Sequence, residues 1–237
     1  MIITLQTLPP LLGPKGDGYN GLLPSRARYL APDVAHALLV MEGDKHLVYT
    51  DCYRSPVAIL QAYKAKPGTQ RPGYSTHGYG LAVDVDTQAS CLLNGWSYVQ
   101  LVDFLGEYGW YCYRRDLDPI ASESWHFTYY GEKAQQFLST VDPQDHLTWA
   151  RAPEAAIQDR YAGQFTLDAF GIQTALAQLN FYSGAIDGQI GPETGAAVRS
   201  FQESWDLTVD GIAGPMTMRT LAFCAATIDK SGGQAVG

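Results

Sequence analysis

The chain has little concentrated positive charge, no long apolar run and few cysteines, and each shortage removes a class of function. Lys and Arg total 16 against 24 for Asp and Glu, a formal net charge of -8, with no basic cluster anywhere. Phosphate recognition needs clustered positive charge, so nucleic acid is not an expected partner. The longest apolar candidates, Ala37 to Met41 and Leu221 to Ala226, fall far short of the roughly 20 residues that span a bilayer. A soluble chain without membrane insertion is expected. Cys52, Cys91, Cys112 and Cys224 are scattered without a CxxC pair, which supports neither a zinc knuckle nor a thioredoxin-like redox motif. Buried, reduced thiols are the expectation. The opening MIITLQTLPPLLGPKGDGYN lacks a basic segment followed by an unbroken apolar core, and Pro9 and Pro10 interrupt its Leu-rich patch. No ordinary secretion signal is expected from it.

What is present belongs to a folded chain. With 237 residues, 46% hydrophobic and 17% charged, it can bury one large core or two small ones. An internal repeat lies near the end: IDGQIGPET at Ile186 to Thr194 and VDGIAGPMT at Val209 to Thr217. In each copy Asp-Gly supplies a turn in which glycine can take a positive φ, and the following Gly-Pro suits the first turn of a helix. Ala197, Val198, Phe201 and Trp205 then recur at helical spacing, as do Met218, Leu221 and Ala222 after the second copy. Ile172, Ala175, Leu176 and Leu179 predict a further amphipathic helix ending near Asn180. The tail thus reads as three short helices joined by two matching turns, an all-α part covering 165–228, with 229–237 as a terminal tail. This stretch resembles the small three-helix peptidoglycan-binding domain attached to many cell-wall hydrolases. Wall binding is what that resemblance implies; the repeated Asp, Gly and Pro are read from spacing only as turn formers. Residues 142–164, a polar, Ala-rich stretch punctuated by Pro143 and Pro153, are expected to be a linker, with His146 and Trp149 able to pack on either part.

The larger part, 1–141, holds two histidines in unusual company. His77 lies in GYSTHGYGLAVDVD, where a glycine-rich loop leads into an alternating strand from Leu81. There Ala82, Asp84 and Asp86 would face one way and Leu81, Val83 and Val85 the other, with the small Ala82 leaving space beside Asp84. His126 lies in SESWHFTYY, a β-favouring aromatic run. Ser124, His126, Thr128 and Tyr130 would share a face, which puts Glu123 on the wrong side unless a bend or bulge precedes Trp125. Either histidine alone is more often an ordinary hydrogen-bonded residue than a ligand. Together, two imidazoles and a carboxylate suit zinc with a position left open, and a carboxylate outside the ligand set could accept a proton from water.

STHGYGLAVD matches a Ser-x-His-x-x-Gly-x-Ala-x-Asp signature and ESWH a Glu-x-Trp-His signature. In both, the chain resembles the zinc D-alanyl-D-alanine carboxypeptidases and dipeptidases and their L-alanyl-D-glutamate endolysin relatives, over roughly Leu22 to Leu138. The resemblance implies that His77, Asp84 and His126 bind Zn2+ and that Glu123 is the general base. YTDCYRSPVAILQAY is similar to the family's Tyr-Arg-Ser segment, which implies that Arg54 reaches into the cleft to hold a substrate carboxylate or a polarised carbonyl oxygen.

Short helical patterns at Val57 to Ala65 and Tyr98 to Tyr108, with strands near Leu81 to Asp86 and Trp125 to Tyr129, predict an α+β part with an antiparallel sheet, because the segments do not alternate as βαβ units. The resemblance implies the compact fold shared by D,D-peptidases and hedgehog signalling domains. Together with the lack of an ordinary secretion signal, it favours a hydrolase of the phage-endolysin type, made in a bacterial host's cytoplasm and acting on peptidoglycan after release, and a monomer is expected. A bacterial D,D-carboxypeptidase in wall remodelling and a noncatalytic wall-binding protein with a structural zinc site are the alternatives. Among the three activities, the residues closing the cleft would decide which stem-peptide bond is cut, and the loop from Arg114 to Ser122 is one candidate.

Overall fold

The computed structural model describes all residues except 2, 17–18, 67–68, 113–122, 133–145 and 228–237, and only the backbone of 16, 19–20 and 146–152. The candidate specificity loop at 114–122 lies outside the described residues, as do the terminal tail and the side chains of His146 and Trp149. Among the described residues no helix is long and apolar enough to cross a membrane. The chain divides into two compact units, one formed by Thr4–Arg54 and Thr76–Arg160, the other by Met1–Ile3, Ser55–Ser75 and Tyr161–Gly237.

In the first unit β1 (Gln6–Thr7) pairs antiparallel with β4 (Tyr29–Leu30), and β2 (Leu12–Gly16) with β3 (Tyr19–Leu22). The main sheet contains β5 (Tyr49–Asp51), β6 (Ala82–Val85), β7 (Trp110–Cys112) and β8 (His126–Tyr129) in the order β5-β6-β8-β7, all pairs antiparallel. This is the expected α+β class. Helix α1 (Pro32–Asp44) buries Val34, Ala35, Leu38 and Met41. Helices α3 (Thr87–Asn94) and α4 (Tyr98–Glu107) follow β6, and α4 opens on a complete Ser97–Gln100 capping box.

Two details of β6 differ from the sequence reading. Every residue of the strand is buried, so alternation set which side chains share a face without leaving either face open. Asp86 does not extend the row of Ala82 and Asp84; its carboxylate accepts the Ala89 N–H at 2.9 Å as the N-cap of α3. An aspartate just ahead of a helix satisfies a backbone donor there that would otherwise have no partner within the helix. Residues 142–164, read from composition as a linker, contain α5 (His146–Tyr161), a helix that runs through Pro153. A proline costs such a helix one backbone hydrogen bond. Burial of Ala156 and Ile157 works against that cost, and Arg160 ties α5 to α1 by donating to both carboxylate oxygens of Asp33 at 3.0 and 2.6 Å.

Gly80, a fixed position of the signature, has φ +67, and a Cβ placed there would lie 2.7 Å from the Ala31 nitrogen. The Ala31 N–H donates to the Gly80 carbonyl at 3.0 Å. Any larger residue would force the loop carrying His77 away from the start of α1.

The second unit contains α2 (Pro56–Ala65) and the helices α6 (Ala169–Gln178), α7 (Pro192–Ser204) and α8 (Pro215–Thr227). Sequence reasoning did not anticipate that Ser55–Ser75 joins the C-terminal helices. The buried Arg219 of α8 donates from Nε to the Gly73 carbonyl at 2.6 Å, and its guanidinium lies 3.9 Å from the Tyr74 ring centroid and 4.5 Å from that of Phe165. Thr220 adds a bond to the Pro72 carbonyl at 3.3 Å.

The repeated turns are locked by two buried glutamines. Gln173 Nε2 donates to Asp187 Oδ1, the Gln189 carbonyl and Thr194 Oγ1 at 2.9, 3.0 and 3.2 Å, while its carbonyl accepts the Gly188 N–H at 2.7 Å. Gln202 repeats the pattern with Asp210, Ile212 and Thr217 at 2.8, 3.0 and 3.2 Å, and accepts the Gly211 N–H at 2.9 Å. Removing one amide takes a partner from the buried Thr194 or Thr217 hydroxyl, the other partners being exposed or half-buried, and a buried group left unsatisfied costs about 1–3 kcal/mol. Gln173→Leu and Gln202→Leu are each expected to lower unfolding stability by at least that much in denaturant titrations. Gln178→Ala, at an exposed position, should stay within about 0.5 kcal/mol.

Candidate metal centre

The antiparallel register of β6 and β8 sets Asp84 directly opposite His126 and Ala82 opposite Thr128. His77 comes from the short 3-10 turn Thr76–Tyr79. His77 Nε2 lies 3.0 Å from Asp84 Oδ1 and 3.0 Å from His126 Nδ1, and His126 Nδ1 lies 2.9 Å from the same Asp84 oxygen. His77 and Asp84 are buried and His126 is half-buried. Among the described residues these three form the group whose ligand atoms converge.

Hydrogen bonding behind each ring decides what faces the centre. His77 Nδ1 is 3.0 Å from the Cys52 carbonyl oxygen. A carbonyl can only accept, so Nδ1 carries a proton and Nε2 of the neutral ring presents a lone pair. His126 Nε2 is 3.3 Å from Thr76 Oγ1 and 3.2 Å from Thr128 Oγ1, either of which can accept an Nε2–H and leave Nδ1 bare. Two imidazole lone pairs and a carboxylate oxygen then point at one another, an arrangement that requires a proton or a cation between them. Ligand atoms around a tetrahedral zinc, with bonds of about 2.0–2.1 Å, stand roughly 3.3 Å apart. The triangle would open by only a few tenths of an ångström to match, so the residues present fit the ion.

Arg54 binds the other oxygen of the Asp84 carboxylate. Its Nη2 donates to Asp84 Oδ2 at 2.5 Å and its Nε to Asp51 Oδ2 at 2.6 Å, so the carboxylate divides its oxygens between Arg54 and the two histidines. Burial works to raise the Asp84 pKa, but the charges and hydrogen bonds of His77 and His126 hold it well below the ordinary carboxylate value. Burial likewise favours neutral His77, and the Asp84 carboxylate overcomes it, so the His77 pKa is raised.

Glu123 stands outside the converging set. Its backbone φ is +66, and the His126 N–H donates to its carbonyl at 3.0 Å, so the chain turns between Glu123 and Trp125 before β8 starts. A turn therefore precedes β8, as a common face for Glu123 and His126 would require. Asp51, Thr76, Thr128 and the Cys52 carbonyl were missed as partners. Thr128 was placed on the His126 face, Thr76 adjoins His77, and Asp51 sits three residues before Arg54, but none carries a recognisable spacing of its own.

Protein freed of metal by a chelator should show the titration of this triangle. The raised His77 pKa contributes stability that is fully present below the ordinary value of 6.5 and is lost as pH rises through the folded value. Asp84 contributes stability above the ordinary value of 3.8 that is lost only in stronger acid. Thermal unfolding of the chelated protein is therefore expected to weaken as pH rises above 6.5, and saturating zinc should remove that loss; a flat chelated profile would contradict a charged His77.

Residues 171–221 match the family described as "Putative peptidoglycan binding domain". The chain is 41% identical over 66 residues to "N-acetylmuramoyl-L-alanine amidase CwlM" of Mycobacterium tuberculosis, covering 28% of this chain and 16% of that one. It is 40% identical over 81 residues to "Zinc D-Ala-D-Ala carboxypeptidase" of Streptomyces albus G, covering 30% and 32%. A "Spore cortex-lytic enzyme" of Bacillus cereus is 42% identical over 64 residues, covering 27% and 24%. The chain thus spans less than a third of the length of each of these relatives. Residues 171–221 thus match a peptidoglycan-binding domain, and over part of its length the chain is similar to a zinc D-Ala-D-Ala carboxypeptidase.

Proposed function

We propose that the chain is a zinc-dependent peptidoglycan peptidase that hydrolyses an amide bond of the cell-wall stem peptide. The observation that carries this reading is the convergence of His77 Nε2, Asp84 Oδ1 and His126 Nδ1, with His77 held by the Cys52 carbonyl in the tautomer that bares Nε2. His77, Asp84 and His126 would hold the ion, which when bound supplies Lewis acidity to water and to the scissile carbonyl. Glu123 takes a proton from the attacking water and passes it to the leaving amine. Arg54 is fixed at one edge by Asp51 and Asp84, and the rest of its donor fork faces the negative charge that develops on the carbonyl oxygen. Water is the nucleophile, so no covalent enzyme intermediate forms. The helices of 165–227 hold the chain on peptidoglycan and raise the local concentration of substrate without altering the chemistry.

A second reading, a noncatalytic wall-binding chain with a structural ion, is supported by the match of residues 171–221 to a peptidoglycan-binding domain. The two separate experimentally. Purified peptidoglycan should release new amino groups on treatment with the full chain, with activity abolished by a chelator and restored by zinc; no release would favour the binder. Glu123→Ala should keep its zinc and lose roughly 10²- to 10⁴-fold in turnover, the usual scale for a general base. His77→Ala and His126→Ala should lose the metal itself by elemental analysis, and unchanged metal content in both would overturn the ligand assignment. The full-length Glu123→Ala chain should still sediment with purified walls, which reads binding apart from cleavage.

A further inference from the structure

Among the described residues of the sheet-bearing unit, Glu123 is the one non-glycine residue with a positive φ. The other two among the described residues are Asn180 and Asp206, residue types that tolerate this conformation far better than a glutamate does. The two carbonyls that follow its Cα are both gripped from other elements. The Glu123 carbonyl accepts from Cys112 Sγ at 3.6 Å besides the His126 N–H. The Ser124 carbonyl accepts the Tyr98 hydroxyl at 3.0 Å and the same thiol at 3.4 Å, and hydroxyl and thiol are 3.3 Å apart. Cys112 and Ser124 are buried. Cys112 ends β7 in register with Phe127 of β8, and Tyr98 is the first residue of α4, anchored by the capping box. Burial, and Cys112 beside it, push the Tyr98 pKa up, so the phenol keeps the proton it donates.

A turn that served only to connect β7 to β8 would be better built on glycine or asparagine at this position. Retaining a glutamate there requires that its carboxylate be used and that the strained backbone be held from outside. We infer that Tyr98 and Cys112 are positioning residues for Glu123, clamping the Glu123–Ser124 peptide in its left-handed turn and thereby setting where its carboxylate stands. This rests on the proposed role of Glu123 as proton carrier, and it assigns the accuracy of that role to one hydroxyl and one thiol on elements the ligand signatures do not include.

Two measurements on the full-length chain test it. With soluble muropeptides released from purified peptidoglycan by a muramidase, Tyr98→Phe and Cys112→Ala, zinc-loaded, should lower kcat about tenfold or more, since small displacements of a catalytic group are costly. KM and zinc content should not change, and Cys112→Ser, which keeps a donor, should recover most of the loss. Unchanged kcat in both variants, with Glu123→Ala inactive, would overturn the clamp while leaving the proposed function standing. The second measurement needs no activity. Tyr98→Phe should lower the Tm of the wild-type chain and lower that of Glu123→Gly by less than half as much, because glycine needs no clamp at positive φ. Equal losses in the two backgrounds would overturn the inference even if Glu123 proves to be the base.

Discussion

Asp84 Oδ1 lies 2.9 Å from one imidazole nitrogen and 3.0 Å from another, and the structure spends several elements on keeping them there. Three electron-rich atoms at that spacing repel one another unless positive charge lies among them, so the arrangement is stable only as a binding site for a proton or a cation. Its parts come from different sources. Sheet register holds Asp84 against His126, a backbone carbonyl orients His77, and Arg54 occupies the carboxylate oxygen that the histidines do not use. The Cys52 carbonyl fixes which His77 nitrogen faces the centre, and Arg54 fixes which carboxylate oxygen does, so these second contacts orient the ligands.

The non-ligand positions of the two signatures acquire physical meaning from the same geometry. Gly80 lets the loop behind His77 touch the Ala31 backbone, and Ala82 stands opposite Thr128 within a strand buried along its whole length. Glu123 occupies a strained turn just before the strand that delivers His126. Strain of this kind persists only where neighbours over-determine it, and here Tyr98 and Cys112 bond the adjoining carbonyls.

The C-terminal helices follow a different logic, that of repetition. Each copy of the Asp-Gly…Gly-Pro turn closes on a buried glutamine from the preceding helix, so one local solution to turn satisfaction is used twice. Their unit also takes in Ser55–Ser75 through Arg219, Gly73 and Tyr74. That segment runs between Arg54 and Thr76 in sequence, so the chain leaves the sheet-bearing unit directly after one site residue and returns directly before another. The free thiols keep mostly to the expected pattern, with Cys52, Cys112 and Cys224 buried and Cys91 only partly so.

Local chemistry was legible from the residues in order. Helix periodicity located the helices that bury Ile172, Leu176, Val198 and Phe201, alternation put Asp84 and His126 each in a strand, and the spacing of the two signatures singled out the residues that converge. Asp86 shows the limit of alternation, since a nearby helix start claimed its carboxylate in place of the strand. The identity of the supporting groups was not legible, because a backbone carbonyl such as that of Cys52 has no residue-type signature and Asp51, Thr76 and Thr128 are common residues without distinctive spacing. Gln173 and Gln202 escaped notice for the same reason: a glutamine is unremarkable until burial forces every one of its hydrogen bonds to be made within the protein. The sequence by itself determined which side chains could bind an ion and which turns could form; only the tertiary structure decided their tautomers, their partners and the grouping of Ser55–Ser75 with the C-terminal helices, because those depend on atoms brought together from distant parts of the chain.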